Sequence, residues 1–256
     1  MALMQNHKSN YGIDAPGLLR MFIFGAVVCV SITGAIYLWN DTHSAVALTV
    51  TTIFGLLACY LTGMACLMIY ESKVTKVKGR DAILDLVNWR GDEKVLDIGC
   101  GRGLLLIGAA KRLTSGKATG IDIWQAKDQS QNSPQGAIDN AFIESVTDKI
   151  EIQTADMRAL PFMDGTFDVV MSHWTLHNLE LETDRVIALN EMNRVLRPGG
   201  RLILTDIEHR NNYIEHISAL GLYDISVLVK PIKDVILKIV SFGSFRPATI
   251  TAIKPA

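Results

Sequence analysis

The sequence Val-Leu-Asp-Ile-Gly-Cys-Gly-Arg-Gly at residues 95–103 decides the fold of this 256-residue chain. Apolar residues lead into Asp97, glycines follow at alternate positions, and residues 104–107 are apolar and open a helical pattern. The glycines are Gly99, Gly101 and Gly103. This order predicts a buried strand that ends in a glycine loop and feeds a helix. Glycine has no Cβ, so a nucleotide-like ligand could lie against backbone N–H groups at the helix N-terminus.

Acidic residues occur at the ends of three predicted strands. Asp97 lies in the first, and the second ends at Asp122, 23 residues after the first glycine of the loop. An acid at that position can accept both hydroxyls of a ribose. The third strand, residues 150–154, leads into Asp156. Because ligands of open α/β sheets bind at the carboxyl ends of the strands, we expect these acids to surround one ligand.

The chain from Lys78 to Ala256 resembles the class I S-adenosylmethionine-dependent methyltransferases. The resemblance depends on segments in the family's order, at residues 95–103, 119–124, 155–162, 167–172 and 196–206. The stretch from Asp156 to Asp168 is most similar to the small-molecule subgroup that includes the ubiquinone and menaquinone C-methyltransferases. The resemblance implies an α/β fold, with a doubly wound, Rossmann-like sheet of seven strands over residues 73–256.

The resemblance also implies S-adenosylmethionine as the cofactor and a set of residues that bind it. These are Asp97, Gly99, Cys100, Gly101, Gly103, Asp122, Ile123, Asp156, Met157 and Ser172. The glycines would make room for the methionine end, and Asp97 would favour its ammonium and sulfonium charges. Asp122 would hold the ribose, and Ile123 would cover one face of the adenine. Asp156 would accept the exocyclic amine, with Met157 at the adenine edge. Each acid could instead cap a helix or a turn.

Two histidines follow the fourth predicted strand, in the sequence Ser-His-Trp-Thr-Leu-His-Asn at residues 172–178. Methyl transfer from a sulfonium is an in-line displacement, for which a protein mainly aligns the reactants and excludes water. A phenol, enol or thiol acceptor also gains from a nearby base. We favour His173 as the catalytic residue; it could also only shape the pocket, and His177 could be a capping or packing residue. The Asn-Pro-Pro-Tyr sequence of many nucleic-acid and protein amine methyltransferases is absent here.

The front of the chain, residues 1–72, is predicted to hold a membrane-spanning helical hairpin. Residues 21–39 and 44–70 carry no charge, and only four residues separate these runs. The runs would span about 28 and 40 Å as helices, against a hydrocarbon core of about 30 Å. We place the spans at about residues 21–39 and 45–70. Small residues four apart give the second helix a face for the first helix or for a second copy of the chain. They are Thr51, Gly55, Cys59 and Gly63.

The basic residues predict the orientation of this hairpin. Lysines and arginines flank both ends and are absent from the loop at residues 40–43. They are Lys8 and Arg20 before the first span, and Lys73, Lys76, Lys78 and Arg80 after the second. By the positive-inside rule the chain is an integral membrane protein with both termini and the catalytic domain in the cytoplasm. Two alternatives are a signal peptide cleaved near residues 45–47 and a pair of buried helices in a soluble protein.

Composition excludes several other classes. A net charge of −1 without a long basic tract gives no electrostatic footprint for nucleic acid. Three cysteines lie in the apolar spans and Cys100 in the glycine loop, which is not a disulfide framework. No cysteine and histidine cluster has zinc-ligand spacing, and no magnesium site is evident, so we expect no metal.

Two segments are candidates for substrate choice. The polar loop at residues 125–132, which includes Asp128, could close over the cofactor or be an ordinary solvated loop. Residues 231–242 have apolar side chains at helical spacing. They predict an amphipathic helix that touches the membrane or lines an apolar channel, with core packing or a dimer contact as the alternative.

Together these features predict a membrane-anchored methyltransferase that acts on a small, apolar or lipid-like acceptor. One alternative is a non-catalytic, S-adenosylmethionine-binding membrane interaction protein, which would bind the cofactor without turnover. A nicotinamide-dependent dehydrogenase is disfavoured, because its G-x-x-G glycine is replaced by Leu104.

Overall fold

The computed structural model describes residues 8–39, 44–125, 129–229, 235 and 245–256. The chain divides into two compact units. The unit that contains the sheet comprises Met1–Tyr11, Val77–Trp124 and Asn132–Ala256, and the unit that contains the apolar helices comprises Gly12–Lys76 and Gln125–Gln131. The predicted domain boundary at residue 72 stays a prediction.

The apolar unit contains helices α1, Pro16–Trp39, and α2, Ala45–Tyr70. Pro16 suits the first position of a helix, and the hydroxyl of Ser44 caps α2 by accepting the N–H of Ala47 at 3.2 Å. A π-helical turn, Glu71–Thr75, follows α2. The carboxylate of Asp14 lies 2.7 Å from the ammonium of Lys76, so an ion pair joins the segments before α1 and after α2.

The two helices pack through one face of α2 that bears Ala58, Leu61 and Ala65. A Cβ built on Gly25 of α1 would lie 3.0 Å from Leu61, so the helices approach closely at this glycine. Cys59 and Gly63, members of the predicted small-residue face, are exposed. The contact with α1 therefore uses a neighbouring face of α2, and the predicted contact with a second copy stays a prediction.

The sheet unit contains seven strands in the order β3-β2-β1-β4-β5-β7-β6. The strands are β1 Lys94–Ile98, β2 Lys117–Asp122, β3 Ile150–Thr154, β4 Phe167–His173, β5 Leu196–Asp206, β6 Tyr223–Leu228 and β7 Ala248–Ile253. The first five are parallel, and β7 is antiparallel to both β5 and β6. This order confirms the predicted Rossmann-like sheet, including its antiparallel partner.

Helices cover both faces of the sheet. They are α3 Lys76–Leu84, α4 Leu104–Ala110, α5 Pro134–Ile143, α6 Glu182–Val195 and α7 Arg210–Ala219. Consecutive residues of β1 point to opposite faces, with Val95 in one hydrophobic cluster and Leu96 in the other. Both residues are fully buried, because a parallel sheet covered on both sides leaves neither face in water. The carboxyl ends of the parallel strands therefore meet at one edge, where the predicted site residues lie.

Candidate functional site

The glycine loop adopts the conformation that its sequence predicts. Gly99, Gly101 and Gly103 have φ values of 70°, 51° and 83°, which residues with a Cβ rarely adopt. A Cβ on Gly99 would lie 2.2 Å from Cγ2 of Thr175, which follows β4. The first glycine therefore lets the loop pack directly against the end of β4.

Asp97 lies beneath this loop and is 2% exposed. Its Oδ2 accepts the backbone N–H of Leu106 in α4 at 2.8 Å. Burial raises the pKa of Asp97 to about 7, and the negative charge of Asp122 adds to the rise, while the hydrogen bond from Leu106 opposes it. A cation placed beside the loop would reverse this shift, since it favours the ionised carboxylate.

Asp122 ends β2 and connects it to the glycine loop. Its Oδ2 accepts the N–H of Gly101 at 2.8 Å, and its Oδ1 accepts the N–H of Trp124 at 2.6 Å. A carboxylate has about four acceptor positions, so ribose hydroxyls can share these oxygens. The next residue, Ile123, is 47% exposed and offers an apolar surface beside the acid.

Cys100 lies within the glycine loop, and Ser172 lies in β4 beside the end of β1. The Cys100 thiol is buried against Gly120, and burial raises its pKa well above the ordinary range. The hydroxyl of Ser172, fully buried, donates to the carbonyl of Ile98 at 2.9 Å and so links β4 to β1. A cofactor contact from either residue would thus come from the backbone; their predicted roles stay predictions.

Asp156 has a partner that the sequence reasoning missed. Both of its oxygens accept from the guanidinium of Arg158 at 2.6 to 3.1 Å, and Arg158 also donates to Asp184 at 2.8 Å. These hydrogen bonds lower the pKa of Asp156. The carboxylate is ionised and held in place, although an adenine amine would have to share it with Arg158. The neighbouring Met157 is half-buried against the core.

The two candidate bases have different surroundings. His173, the last residue of β4, stacks on Trp174 with ring centroids 5.1 Å apart and planes 10° from parallel. His177 lies one turn later, and its Nδ1 is 2.5 Å from Oδ1 of Asp206 at the end of β5. The buried carboxylate also accepts the backbone N–H of His177 at 3.0 Å and the hydroxyl of Tyr213 at 3.2 Å.

This arrangement makes His177 and Asp206 a carboxylate-oriented histidine pair. An acid at Nδ1 favours the tautomer with the proton on Nδ1, so the lone pair of the imidazole is on Nε2. Sequence reasoning placed Asp206 only within the motif at residues 196–206. The signal that could have found the pair is the acid at the end of β5, which mirrors the acid at the end of β2.

The other predicted segments are described only in part. Residues 126–128, with Asp128, and most of the predicted helix at residues 231–242 lie outside the described residues. Within the described part of the chain, no group of three or more His, Cys, Asp or Glu side chains could hold a metal ion.

The described residues fit S-adenosylmethionine on their own chemistry. The buried Asp97 has a raised pKa to which the charge of Asp122 contributes, and Asp156 adds a carboxylate that is paired with Arg158. The three glycines carry no side chains, and their N–H groups donate within the protein, that of Gly101 to Asp122 and those of Gly99 and Gly103 to the carbonyls of Ile121 and Cys100. A cationic nucleoside with a ribose and an adenine suits this combination of acids and the exposed Ile123.

Comparison with known proteins also indicates a methyltransferase domain. A family described as a methyltransferase domain matches residues 96–204. The chain is 36% identical over 126 residues to the 27-O-demethylrifamycin SV methyltransferase of Amycolatopsis mediterranei, covering 49% of this chain and 43% of that protein. It is 31% identical over 149 residues to the ubiquinone/menaquinone biosynthesis C-methyltransferase UbiE of Roseobacter denitrificans, covering 58% and 56%.

A solved structure shows the same fold. The geranyl diphosphate C-methyltransferase of Streptomyces coelicolor, in complex with Mg²⁺, geranyl diphosphate and S-adenosyl-L-homocysteine, superposes with a TM-score of 0.58 at 16% identity, over 73% of this chain and 82% of that one. The chain spans about half the length of the curated relatives it matches. The glycine loop, the strand order and these matches together identify a methyltransferase domain at residues 96–204 of the chain.

Proposed function

We propose that this protein transfers a methyl group from S-adenosylmethionine to a small acceptor whose reacting atom carries a removable proton. The observation that supports this proposal is the His177–Asp206 pair at the same edge of the sheet as the glycine loop. When bound, the cofactor supplies an electrophilic methyl group on a sulfonium. O- and C-methylation, the reactions in the names of the two relatives above, both replace a proton by a methyl group.

In this proposal His177 removes the proton of the acceptor. Its Nε2 takes the proton from the acceptor oxygen or carbon, and that atom forms the new bond to the methyl carbon as the carbon–sulfur bond breaks. Asp206 then stabilises the imidazolium, and Tyr213 and the backbone N–H of His177 keep the carboxylate in place. His173 remains a candidate for contact with the acceptor through its half-buried ring.

We further propose that α1 and α2 anchor the protein in a membrane. They contain 24 and 26 residues, and α1 and the continuous helix Ala45–Leu84 that begins with α2 are long and apolar enough to cross a membrane. At 1.5 Å per residue they measure about 36 and 39 Å, enough to cross a core of about 30 Å. Their large apolar side chains are mostly exposed, among them Phe24 at 72%, Leu56 at 68% and Leu38 at 84%. Core helices of a soluble protein would bury these side chains, so their exposure favours helices that contact lipid.

The basic residues support a cytoplasmic catalytic domain. Arg20 lies near the start of α1, and Lys73 and Lys78 follow α2, on the same side of the hairpin. An anchor in this orientation would bring the domain next to acceptors dissolved in the membrane. A small, apolar or lipid-like acceptor is therefore the substrate class that we propose.

One experiment tests cofactor, turnover and acceptor class together. The full chain in lipid vesicles is given S-adenosylmethionine with a labelled methyl group and a panel of lipid-soluble phenols, quinols and hydroxylated lipids, each beside a water-soluble analogue. We expect label in the organic extract and S-adenosylhomocysteine in the aqueous phase in equal amounts. Label transfer only to water-soluble acceptors would contradict the apolar class. Cofactor binding without any transfer would favour the non-catalytic binding protein.

A further inference from the structure

Residues 8–11, which lie a few positions before the first apolar helix, are part of the sheet unit. The backbone N–H of Asn10 donates to Oδ1 of Asn140 in α5 at 2.8 Å, and the Nδ2 of Asn140 donates to the carbonyl of Asn10 at 2.9 Å. This reciprocal pair resembles one rung of a β-ladder and joins positions 130 residues apart in the sequence. Asn140 is 1% exposed, so the pair is shielded from water.

The same residues hold the glycine loop. The Nδ2 of Asn140 also donates to the carbonyl of Arg102 at 2.9 Å, and the Nε of Arg102 donates to the carbonyl of Asn10 at 2.5 Å. Arg102 lies between Gly101 and Gly103, so the loop is linked to Asn10 both directly and through Asn140. Loss of the segment would leave buried polar groups without these partners, which is costly.

Ser9 and Tyr11 fix the segment on either side of Asn10. Both hydroxyls donate to Oε1 of Glu144 just after α5, that of Ser9 at 2.7 Å. Tyr11 is 5% exposed and packs in the core cluster that includes Leu104 of α4. Burial, with the nearby Glu144 carboxylate, raises the pKa of Tyr11 far above its ordinary value, so its hydroxyl stays a donor.

The next residues of the segment lead into the apolar unit and pair there in a similar way. The N–H of Ser130 donates to the carbonyl of Ile13 at 3.0 Å, and the N–H of Ile13 donates to the hydroxyl of Ser130 at 2.8 Å. Ser130 lies in the polar loop that follows Asp122. Asn10 thus contacts the glycine loop within the sheet unit, and Ile13 contacts the loop after the predicted ribose acid within the apolar unit.

We propose that Ser9–Tyr11 are positioning residues that fix the glycine loop in its binding conformation and thereby strengthen cofactor binding. The inference rests on the proposed function, since it needs S-adenosylmethionine to bind at this loop. Because binding effects are reciprocal, the bound cofactor must in turn stabilise the docked segment. Hydrogen exchange can measure this without any substitution.

The test compares amide hydrogen exchange of the full chain in detergent with and without saturating S-adenosylhomocysteine. The reporter is the backbone N–H of Asn10, which donates to Asn140, and the strand β6 is the internal reference. We expect exchange at Asn10 to slow at least about threefold, a modest coupling. Binding shown by calorimetry without any change at Asn10 overturns the inference and leaves the proposed function intact. Absence of binding overturns both.

Matched variants give a second measurement. Ser9→Ala with Tyr11→Phe removes two donors to Glu144 and keeps the buried ring, whereas Lys111→Ala removes another partner of the same carboxylate from outside the segment, at 2.6 Å. We expect the double variant to raise the Kd for S-adenosylhomocysteine about three- to tenfold. The control should leave the Kd unchanged. Equal effects of the two variants would show that Glu144 itself, and not the docked segment, is responsible.

Discussion

The glycine-loop half of the sheet edge, formed by the ends of β1 and β2, differs from the histidine half, formed by the ends of β4 and β5. In the first half, the carboxylates of Asp97 and Asp122 accept backbone N–H groups and so fix the backbone conformation of the glycine loop and the start of α4. In the second, Asp206 holds the ring of His177. The acids of the first half fix the backbone of a loop, whereas the acid of the second half orients one imidazole.

The substitution with the largest expected effect is His177→Gln, which changes the histidine half alone. His177→Gln removes the base but keeps a polar side chain of similar length, so turnover should fall about 10²- to 10⁴-fold, as for loss of a general base. The Kd for S-adenosylmethionine should stay within about twofold. Single-turnover methyl transfer and calorimetry measure the two quantities. His173→Gln is the matched comparison, and a larger loss there would return the catalytic role to His173.

A second substitution breaks the glycine-loop half. Gly99→Ala places a Cβ 2.2 Å from Thr175 Cγ2 at a φ of +70°, so both strain and overlap oppose it. The free energy of unfolding should fall by about 3 kcal/mol, and cofactor binding should weaken with it. Gly79→Ala is the control, because a Cβ there meets no atom within 4 Å. Thermal unfolding that is equal in the two variants would contradict the packing of the loop against Thr175.

Asp122→Asn separates binding from chemistry. The amide keeps the size of the carboxylate but loses one acceptor and all of the charge, so the binding free energy of S-adenosylmethionine should become less favourable by about 1 to 3 kcal/mol. Turnover at saturating cofactor should change much less than in His177→Gln. An Asp122→Asn protein that binds as tightly as wild type would show that this acid only closes the loop on Gly101.

The smallest expected effect is the pH dependence of cofactor affinity that the carboxyl of Asp97 causes. Because burial raises its pKa to about 7, the folded protein retains a proton at this carboxyl that the unfolded chain has lost between about pH 4 and 7. The contribution of Asp97 to stability therefore declines as the pH rises through this window. A cationic cofactor favours the ionised form, so its affinity should weaken by up to about tenfold between pH 8 and 6. Calorimetry at several pH values checks this.

Asp97→Asn is the control for the pH experiment. The variant has no carboxyl to titrate, so the pH dependence of cofactor affinity over this range should disappear. The same slope in wild type and variant would assign the effect to another group.

Much of the glycine-loop half could be predicted from local sequence. The alternation of apolar residues, acids and glycines between 95 and 122 fixes strand, loop and helix, because each depends on backbone preferences over a few residues. The hydrogen bond from the N–H of Gly101 to Asp122 is a finding of the structure, since it depends on the pairing of β1 with β2. The predicted helix at residues 231–242 lies almost wholly outside the described residues and stays a prediction.

The contacts of the other elements depend on distant residues. His177 and Asp206 are 29 residues apart, and their pairing required the register of β4 beside β5. The pairing of Arg158 with Asp156 is different, because the two residues are only two positions apart. Local sequence could have predicted this contact. The face of α2 that meets α1 was also set by packing, since Gly25 admits Leu61 and no period in the sequence marks that choice.

The sequence by itself determined the class of domain, the glycine loop, the strand-end acids and two apolar helices, because these features depend on side-chain type and short-range periodicity. Tertiary structure alone decided that Asp206 orients His177 and that the residues before α1 bond to Asn140 and Arg102. The physical reason is that hydrogen bonds between distant residues form only after packing has excluded water and placed the partners within about 3 Å of each other.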